Sequence, residues 1–213
     1  MGWRGPVVLA ALLALGTAGG YVASRAQQPG GDAQGVPSPV AASGPRFPVD
    51  PPIPTATDPA DPALRPNVPL TTDTLGTGKF ALAVPVPVGW TMNQTASNEA
   101  KWKEPGTSNN TYVMRVEQTA EDGRTIPEAL DQRVRALRDE QDDVRLVPGG
   151  RTEDSVEYTY TSNEGTRRHS FIRWVDVSGS GLAEVEVVVH GRTRDVPGTR
   201  DLVRRVAEGL RPA

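Results

Sequence analysis

The chain has 213 residues, which is enough for one ordinary domain with accessory segments or for two very small domains. It contains no cysteine, so disulfide bonds, thiolate nucleophiles, Cys-ligated metal centres and a lipid anchor on an N-terminal cysteine are excluded. Its 23 basic and 26 acidic side chains leave a formal charge of -3, which gives no basic surface for wrapping nucleic acid. The composition therefore indicates the cellular location and the architecture of the protein more than any reaction that it catalyses.

The chain begins with an uncharged apolar segment. Residues 7–23 carry no charged side chain and are flanked by Arg4 and Arg25. A helix of this length covers roughly 25 Å, slightly less than a hydrocarbon core of about 30 Å. Residues 1–26 are therefore predicted to be a signal anchor or a cleaved signal peptide. The proximity of Arg25 favours the anchor, and Arg4 with the terminal amine favours a cytoplasmic N-terminus.

Residues 27–72 are predicted to be a disordered linker, because 12 of the 20 prolines fall within them. Proline lacks a backbone donor and fixes φ, so neither a helix nor a sheet is expected to propagate through this segment. If fully extended, the linker would span up to roughly 140 Å. It would hold the domain that follows, residues 73–213, clear of a membrane surface.

The first half of residues 73–213 has the pattern of short strands followed by a helix. Apolar alternation predicts strands at 80–84, 90–92, 100–103 and 112–116. Thr125 and Glu128 match a capping box, and apolar residues at helical spacing follow them. An amphipathic helix is therefore predicted to extend to about Asp139, with one charged face in solvent.

The second half has the pattern of an antiparallel meander closed by a helix. Strand candidates lie at 144–147, 155–161, 168–177 and 182–190, and short glycine-containing turns between the last three predict hairpins. Apolar spacing predicts a final helix at 199–210. The predicted fold class is α+β, with an antiparallel β-sheet flanked by two helices. The hydrophobic helix and the disordered proline-rich linker would precede it.

Several sequence segments of this domain resemble those of a known family. They are the run from Phe80 to Pro85 leading to Trp90, the tryptophan at 102, the aromatic strand around Tyr158, the 168–174 strand and the terminal helix. Together they are similar to the exported PsbP-like α+β domains of actinobacterial membrane proteins and lipoproteins. The resemblance implies that fold and a non-enzymatic binding or assembly role. The chain departs from such relatives in having neither a lipidated cysteine nor a kinase domain.

The domain contains two histidines, His169 and His190, near the open end of a predicted hairpin. If their side chains were neighbours, a metal site would still need a third ligand, for which Glu157 or Asp195 is available. The simpler interpretation is that both are polar residues at strand ends. No metal site is therefore predicted.

Other polar motifs are interpreted as surface or turn features. The acidic residues at 139–143 lack the loop spacing of an EF-hand, and the arginines between 167 and 200 are interspersed with carboxylates. The Ser178 to Gly181 stretch joins two strands and does not match a nucleophile elbow. No phosphate-binding glycine motif follows a strand, so no cofactor and no catalytic residue are predicted.

Aromatic side chains are the remaining candidates for a binding surface. Most of the eight aromatics in residues 73–213 are expected in the core, because the domain has few other side chains of comparable volume. Trp90 and Trp102 lie in its irregular N-terminal half. These two tryptophans are therefore the predicted binding residues.

The sequence as a whole predicts a membrane-anchored extracytoplasmic binding or accessory module without catalytic activity. Residues 7–23 would anchor it as a single-pass protein of the cell membrane, with secretion after signal cleavage as the alternative. The expected partner is a cell-envelope protein or a glycan, and not nucleic acid. The alternative function is a secreted hydrolase or metal-dependent enzyme using His169, His190 and nearby carboxylates. A ligand-sensing domain that signals through its anchor is a third interpretation.

Overall fold

The structure, a computed structural model, describes residues 56–108, 111–140 and 142–213. The predicted anchor and the first part of the predicted linker lie outside these residues. Within the three described ranges, no helix is both long enough and apolar enough to cross a membrane.

The described chain is an α+β domain, as the sequence predicts. Five strands come first: β1 (Leu70–Leu75), β2 (Leu82–Pro87), β3 (Thr91–Ala96), β4 (Glu99–Lys103) and β5 (Tyr112–Gln118). The helix α1 (Ile126–Glu140) is followed by β6 (Asp142–Arg151), β7 (Ser155–Thr161), β8 (Arg167–Val175) and β9 (Val185–Gly191). The helix α2 (Val196–Gly209) and the short strand β10 (Arg211–Pro212) complete it.

The strands form two antiparallel sheets. The large sheet has the order β3-β4-β5-β9-β8-β7-β6, so β9 lies between β5 and β8. The small sheet has the order β1-β2-β10. The hairpins predicted from the glycine-containing turns are confirmed, because β7 pairs with β8 and β8 pairs with β9.

Each face of the large sheet carries its own core. Met114 and Val187 lie on the face covered by α2 and the small sheet. Ile172 and Val188 lie on the opposite face, where Leu137 of α1 packs against the sheet. The central strands are therefore buried on both faces, which explains why β9 is a nearly continuous run of valines rather than an alternating pattern.

Residues 56–69 form an extended segment that runs along the domain before β1, and we call this segment the strap. The amide of Ala56 donates to the carbonyl of Gly165 at 2.8 Å. Leu64 is buried in the core, and its amide donates to the Asp195 carboxylate at 3.0 Å. The strap and the start of β1 belong to residues that the sequence analysis assigned to the linker. Those residues are in contact with the domain.

A buried ion pair holds the strap in place. The Arg192 guanidinium donates from Nε and Nη2 to both oxygens of Asp195, at 2.7 and 2.8 Å, and both side chains are fully buried. Its other N–H groups donate to the carbonyl oxygens of Pro59, Asp61 and Pro62 at 2.7 to 2.8 Å. A proline-rich segment forms no ladder of its own, so these carbonyls need side-chain donors; Arg192 serves all three, and Arg194 also donates to the carbonyl of Pro59. We call Arg192 and Asp195 the clip.

The strap also lies very close to the first turn of α2. An ideal Cβ built on Gly198 would be 2.2 Å from the backbone carbonyl oxygen of Leu64. Backbone cannot yield in the way that the end of a flexible side chain can. Gly198 is therefore required for this close approach.

We expect Gly198→Ala to destabilise the domain by about 1–3 kcal/mol, the usual cost of forcing extra volume into a packed site. Helix propensity alone predicts the opposite, a gain of up to about 1 kcal/mol when alanine replaces a helical glycine. Urea unfolding of the full chain, followed by tryptophan fluorescence, measures the difference. A free energy of unfolding that is unchanged or increased would contradict the packing of the strap on α2.

Candidate functional site

The two histidines do not share a site. His190 pairs in register with Ser170, the residue after His169, so the two imidazoles lie on opposite faces of the large sheet. On the α2 face, Nε2 of His169 is 2.6 Å from a carboxylate oxygen of Glu157. No group of three or more potential metal ligands occurs in the part of the chain that the structure describes. The alternative that both histidines build one metal or catalytic site is therefore wrong.

The two carboxylates considered as a third ligand have other partners. Asp195 belongs to the clip. Glu157 accepts hydrogen bonds from Arg200 of α2, whose Nη2 is 3.0 Å from both carboxylate oxygens. The Arg200 guanidinium also lies over the ring of Phe171, at 5.3 Å from its centroid. These contacts connect α2 to β7 and β8.

The two predicted binding tryptophans occupy different environments. Trp102 is fully buried, and its indole N–H donates to the carboxylate of Asp73 at 2.9 Å, so its ring fills the core and presents no surface to a ligand. Trp90 is partly exposed and stacks on Tyr112 with ring centroids 5.7 Å apart. Trp90 also lines a groove of about 340 Å³ beside the strap. A binding role for Trp90 stays a prediction.

A larger concavity lies at the end of the domain that carries the β1–β2 connection, and we call it the Phe80 pocket. Its volume is about 400 Å³ and its walls are mostly apolar. The apolar lining residues include Phe80, Ala81, Leu82, Val177, Val185 and Pro212. A preformed concavity with apolar walls and a few polar groups is the usual geometry of a ligand site.

The β1–β2 connection holds Phe80 at the rim of this pocket. Gly76 has a φ of 82°, and a Cβ there would lie 2.8 Å from the Phe80 carbonyl oxygen, so only glycine fits. The side-chain amide of Gln118 donates to the same carbonyl at 2.7 Å. The backbone is thereby fixed while the Phe80 side chain remains 68% exposed. Apolar alternation predicted Phe80 in a strand, whereas the structure places it in the turn that follows Gly76 and Gly78.

Two charged groups lie at the pocket mouth. The Lys79 ammonium is 4.9 Å from the centroid of the Phe80 ring. Glu184 accepts a hydrogen bond from the amide of Ser178 at 2.7 Å and another from its hydroxyl. Burial opposes ionisation of Glu184, but these hydrogen bonds outweigh it and hold its pKa below the ordinary value. The mouth therefore presents one cation and one anion around an apolar interior.

Comparisons with known proteins add little to this geometry. No protein-family model matches the chain, and no curated protein matches it. One similar solved structure is the Saccharomyces cerevisiae Ran-binding protein Mog1p, at 6% identity and a TM-score of 0.43, covering 67% of this chain and 95% of that one. Another is LpqN of Mycobacterium tuberculosis, involved in cell envelope biogenesis, at 11% identity and a TM-score of 0.38, covering 67% and 90%.

Likenesses of this strength assign neither a ligand nor an activity to the chain. The finer resemblance to exported PsbP-like domains is matched by no family model and stays a prediction.

His190 has an unusual environment on the α1 face of the large sheet. Burial of its ring, together with the positive charges of Arg168, Arg115 and Lys101, lowers its pKa to about 4. An imidazole in the unfolded chain titrates near 6.5. Between these values the unfolded chain binds a proton that the folded chain does not, so acid favours unfolding.

We expect the free energy of unfolding to fall as pH decreases from about 6.5 to about 4, by up to about 1.4 kcal/mol per pH unit from His190. His190→Gln should remove this part of the slope, because glutamine does not titrate. His169→Gln is the matched control on the other face and should retain it. Urea unfolding at a series of pH values measures all three proteins. Identical slopes for the wild type and His190→Gln would show that the histidine is not desolvated.

Proposed function

We propose that the protein is a membrane-anchored extracytoplasmic module that binds an apolar portion of a cell-envelope partner in the Phe80 pocket, without catalysis. The observation that carries this proposal is the exposed Phe80 ring at the rim of a preformed apolar pocket. Exposed apolar surface that is continuous with a preformed apolar concavity is typical of ligand-binding grooves, whereas a single exposed apolar side chain on a flat surface is common.

The pocket chemistry favours one kind of ligand over another. Apolar walls suit an aliphatic or aromatic group, whereas a glycan would need a wall rich in hydrogen-bonding groups. Lys79 and Glu184 at the mouth can pair with polar groups that flank the apolar part of the ligand. An apolar side chain of an envelope protein or the end of an acyl chain satisfies both conditions.

The membrane location is supported by the sequence. Residues 7–23 form an uncharged apolar run of a length close to that of a membrane span. The proline-rich residues that follow would separate the domain from the lipid surface. This arrangement would make the Phe80 pocket accessible to partners in the envelope.

Binding at the pocket is tested with Phe80→Ser and the neutral fluorescent probe N-phenyl-1-naphthylamine. We expect the variant to bind the probe about tenfold more weakly, since roughly 1.4 kcal/mol of apolar contact is lost. Val88→Ser is the matched control, because Val88 is 57% exposed and lies beside the Trp90 groove instead. Equal binding by all three proteins, or a loss only in Val88→Ser, would refute the assignment of the site.

The membrane location is tested by fractionation and protease treatment of intact cells expressing the full chain with a C-terminal epitope. We expect the protein in the membrane fraction, with the epitope removed by external protease. A soluble protein protected from protease until the cells are lysed would overturn the proposed location. Recovery of a shortened protein in the medium would instead support secretion after cleavage.

A further inference from the structure

Arg168 of β8 is a buried cation with an unfilled hydrogen-bonding edge. Its side chain is only 1% exposed. Nη1 donates to the carboxylate of Asp58 in the strap at 2.7 Å and to the carbonyl of Arg167 at 3.2 Å. Neither Nε nor Nη2 has a hydrogen-bond partner in the described ranges. Two donor nitrogens of a buried guanidinium, which carry three N–H groups, therefore lack acceptors, which is costly for any folded protein.

The clip shows what the same edge of a guanidinium binds when it is filled. In Arg192, Nε and Nη2 donate to the two oxygens of one carboxylate. This bidentate geometry matches the spacing of oxygen atoms in carboxylate and phosphate groups. Arg168 is buried to nearly the same extent and presents the same two atoms, but without an oxyanion.

A second buried donor lies on the same face of the sheet. Ser170 follows Arg168 by two residues along β8, so both side chains point to the α1 face. Its hydroxyl is buried beside the hydroxyl of Tyr158, the residue of β7 that pairs with Ser170 in register. The register places Tyr160 of β7 opposite Arg168, and His190 of β9 opposite Ser170.

The charges around this position favour an anion. Arg168, Arg115 and Lys101 all act on His190 and oppose its protonation, although Arg115 also forms ion pairs with three carboxylates. Burial raises the pKa of Tyr160 to about 12, which keeps its hydroxyl protonated. Asp58 supplies one negative charge, but it contacts only Nη1 of the guanidinium.

We propose that Arg168 and Ser170 form a binding site for an oxyanion, a carboxylate or phosphate group that is held by the free edge of the guanidinium and by the serine hydroxyl. The oxyanion could come from a free ligand or from the chain itself. Residues 1–55 contain two carboxylate side chains, Asp32 and Asp50. This site lies on different elements from the Phe80 pocket and does not depend on the function proposed for it.

The experiment measures the Tm of the full chain in inorganic phosphate or acetate against chloride at the same ionic strength. If a free ligand occupies the site, we expect a rise of about 3–6 °C at tenfold excess over Kd. Arg168→Lys should abolish the rise, because it keeps the charge but lacks the planar edge. Ser170→Ala should reduce it, and this variant serves if Arg168→Lys does not fold. Arg145→Lys is the control, since Arg145 is 72% exposed, and it should retain the rise.

The variants Asp32→Asn and Asp50→Asn distinguish the two sources. If one of these residues supplies the oxyanion, the wild type will show no rise, whereas the corresponding variant will have a lower Tm and will regain a rise with phosphate or acetate. The proposal is overturned if neither anion acts on the wild type or on either asparagine variant. Where the wild type does show a rise, the proposal is also overturned if Arg168→Lys and Ser170→Ala show the same rise.

Discussion

The buried pair of Arg192 and Asp195 is the interaction on which the rest of the domain depends. Two opposite charges are tolerated in a protein interior only when both are paired and their remaining hydrogen-bonding groups are satisfied. Asp195 accepts hydrogen bonds from Arg192 and from the amide of Leu64, and Arg192 uses its remaining N–H groups on strap carbonyls. The pair therefore needs the strap as much as the strap needs the pair. Removing either partner would leave a buried charge unpaired.

The effect of the clip extends to the Phe80 pocket. The strap leads directly into β1, and β1 pairs with β2 along its whole length, from Leu70 to Leu75. The connection between these strands carries Gly76 and Phe80, which form one side of the pocket. The small sheet packs on the large sheet through the core that also includes Leu64. Fixing the strap therefore fixes the small sheet, and with it the position of the Phe80 ring.

Local sequence signals predicted the elements that local interactions stabilise. One half of the predicted capping box is present, since the Glu128 carboxylate accepts from the amide of Thr125 at 2.9 Å and from its hydroxyl at 2.8 Å, and α1 ends within one residue of its predicted end. The strap could not be predicted, because Arg192 lies about 130 residues from the carbonyls it binds.

The predicted first strand ended before Pro85, whereas β2 continues to Pro87. At Pro85 and Pro87, β2 pairs with β1 alone, because β10 pairs only with Ala83 and Leu82. The other edge of β2 is unpaired at these prolines, and a missing backbone N–H is tolerated at an unpaired edge.

The candidate sites were harder to predict than the fold for a related reason. Strand periodicity assigns a side chain to a face of a sheet, but it does not show whether that side chain is covered or satisfied. Trp102 was predicted to bind because it lies in the irregular N-terminal half of the domain, but it is a core residue with its N–H paired, whereas Phe80 was predicted in a strand and is exposed. Arg168 and Arg192 differ in the same way. Arg192 forms its ion pair with Asp195, three residues further along the chain, whereas Arg168 forms its ion pair through one nitrogen with Asp58 of the strap. What marks a candidate binding residue in this domain is the set of partners that its side chain lacks, and most partners here come from distant parts of the sequence.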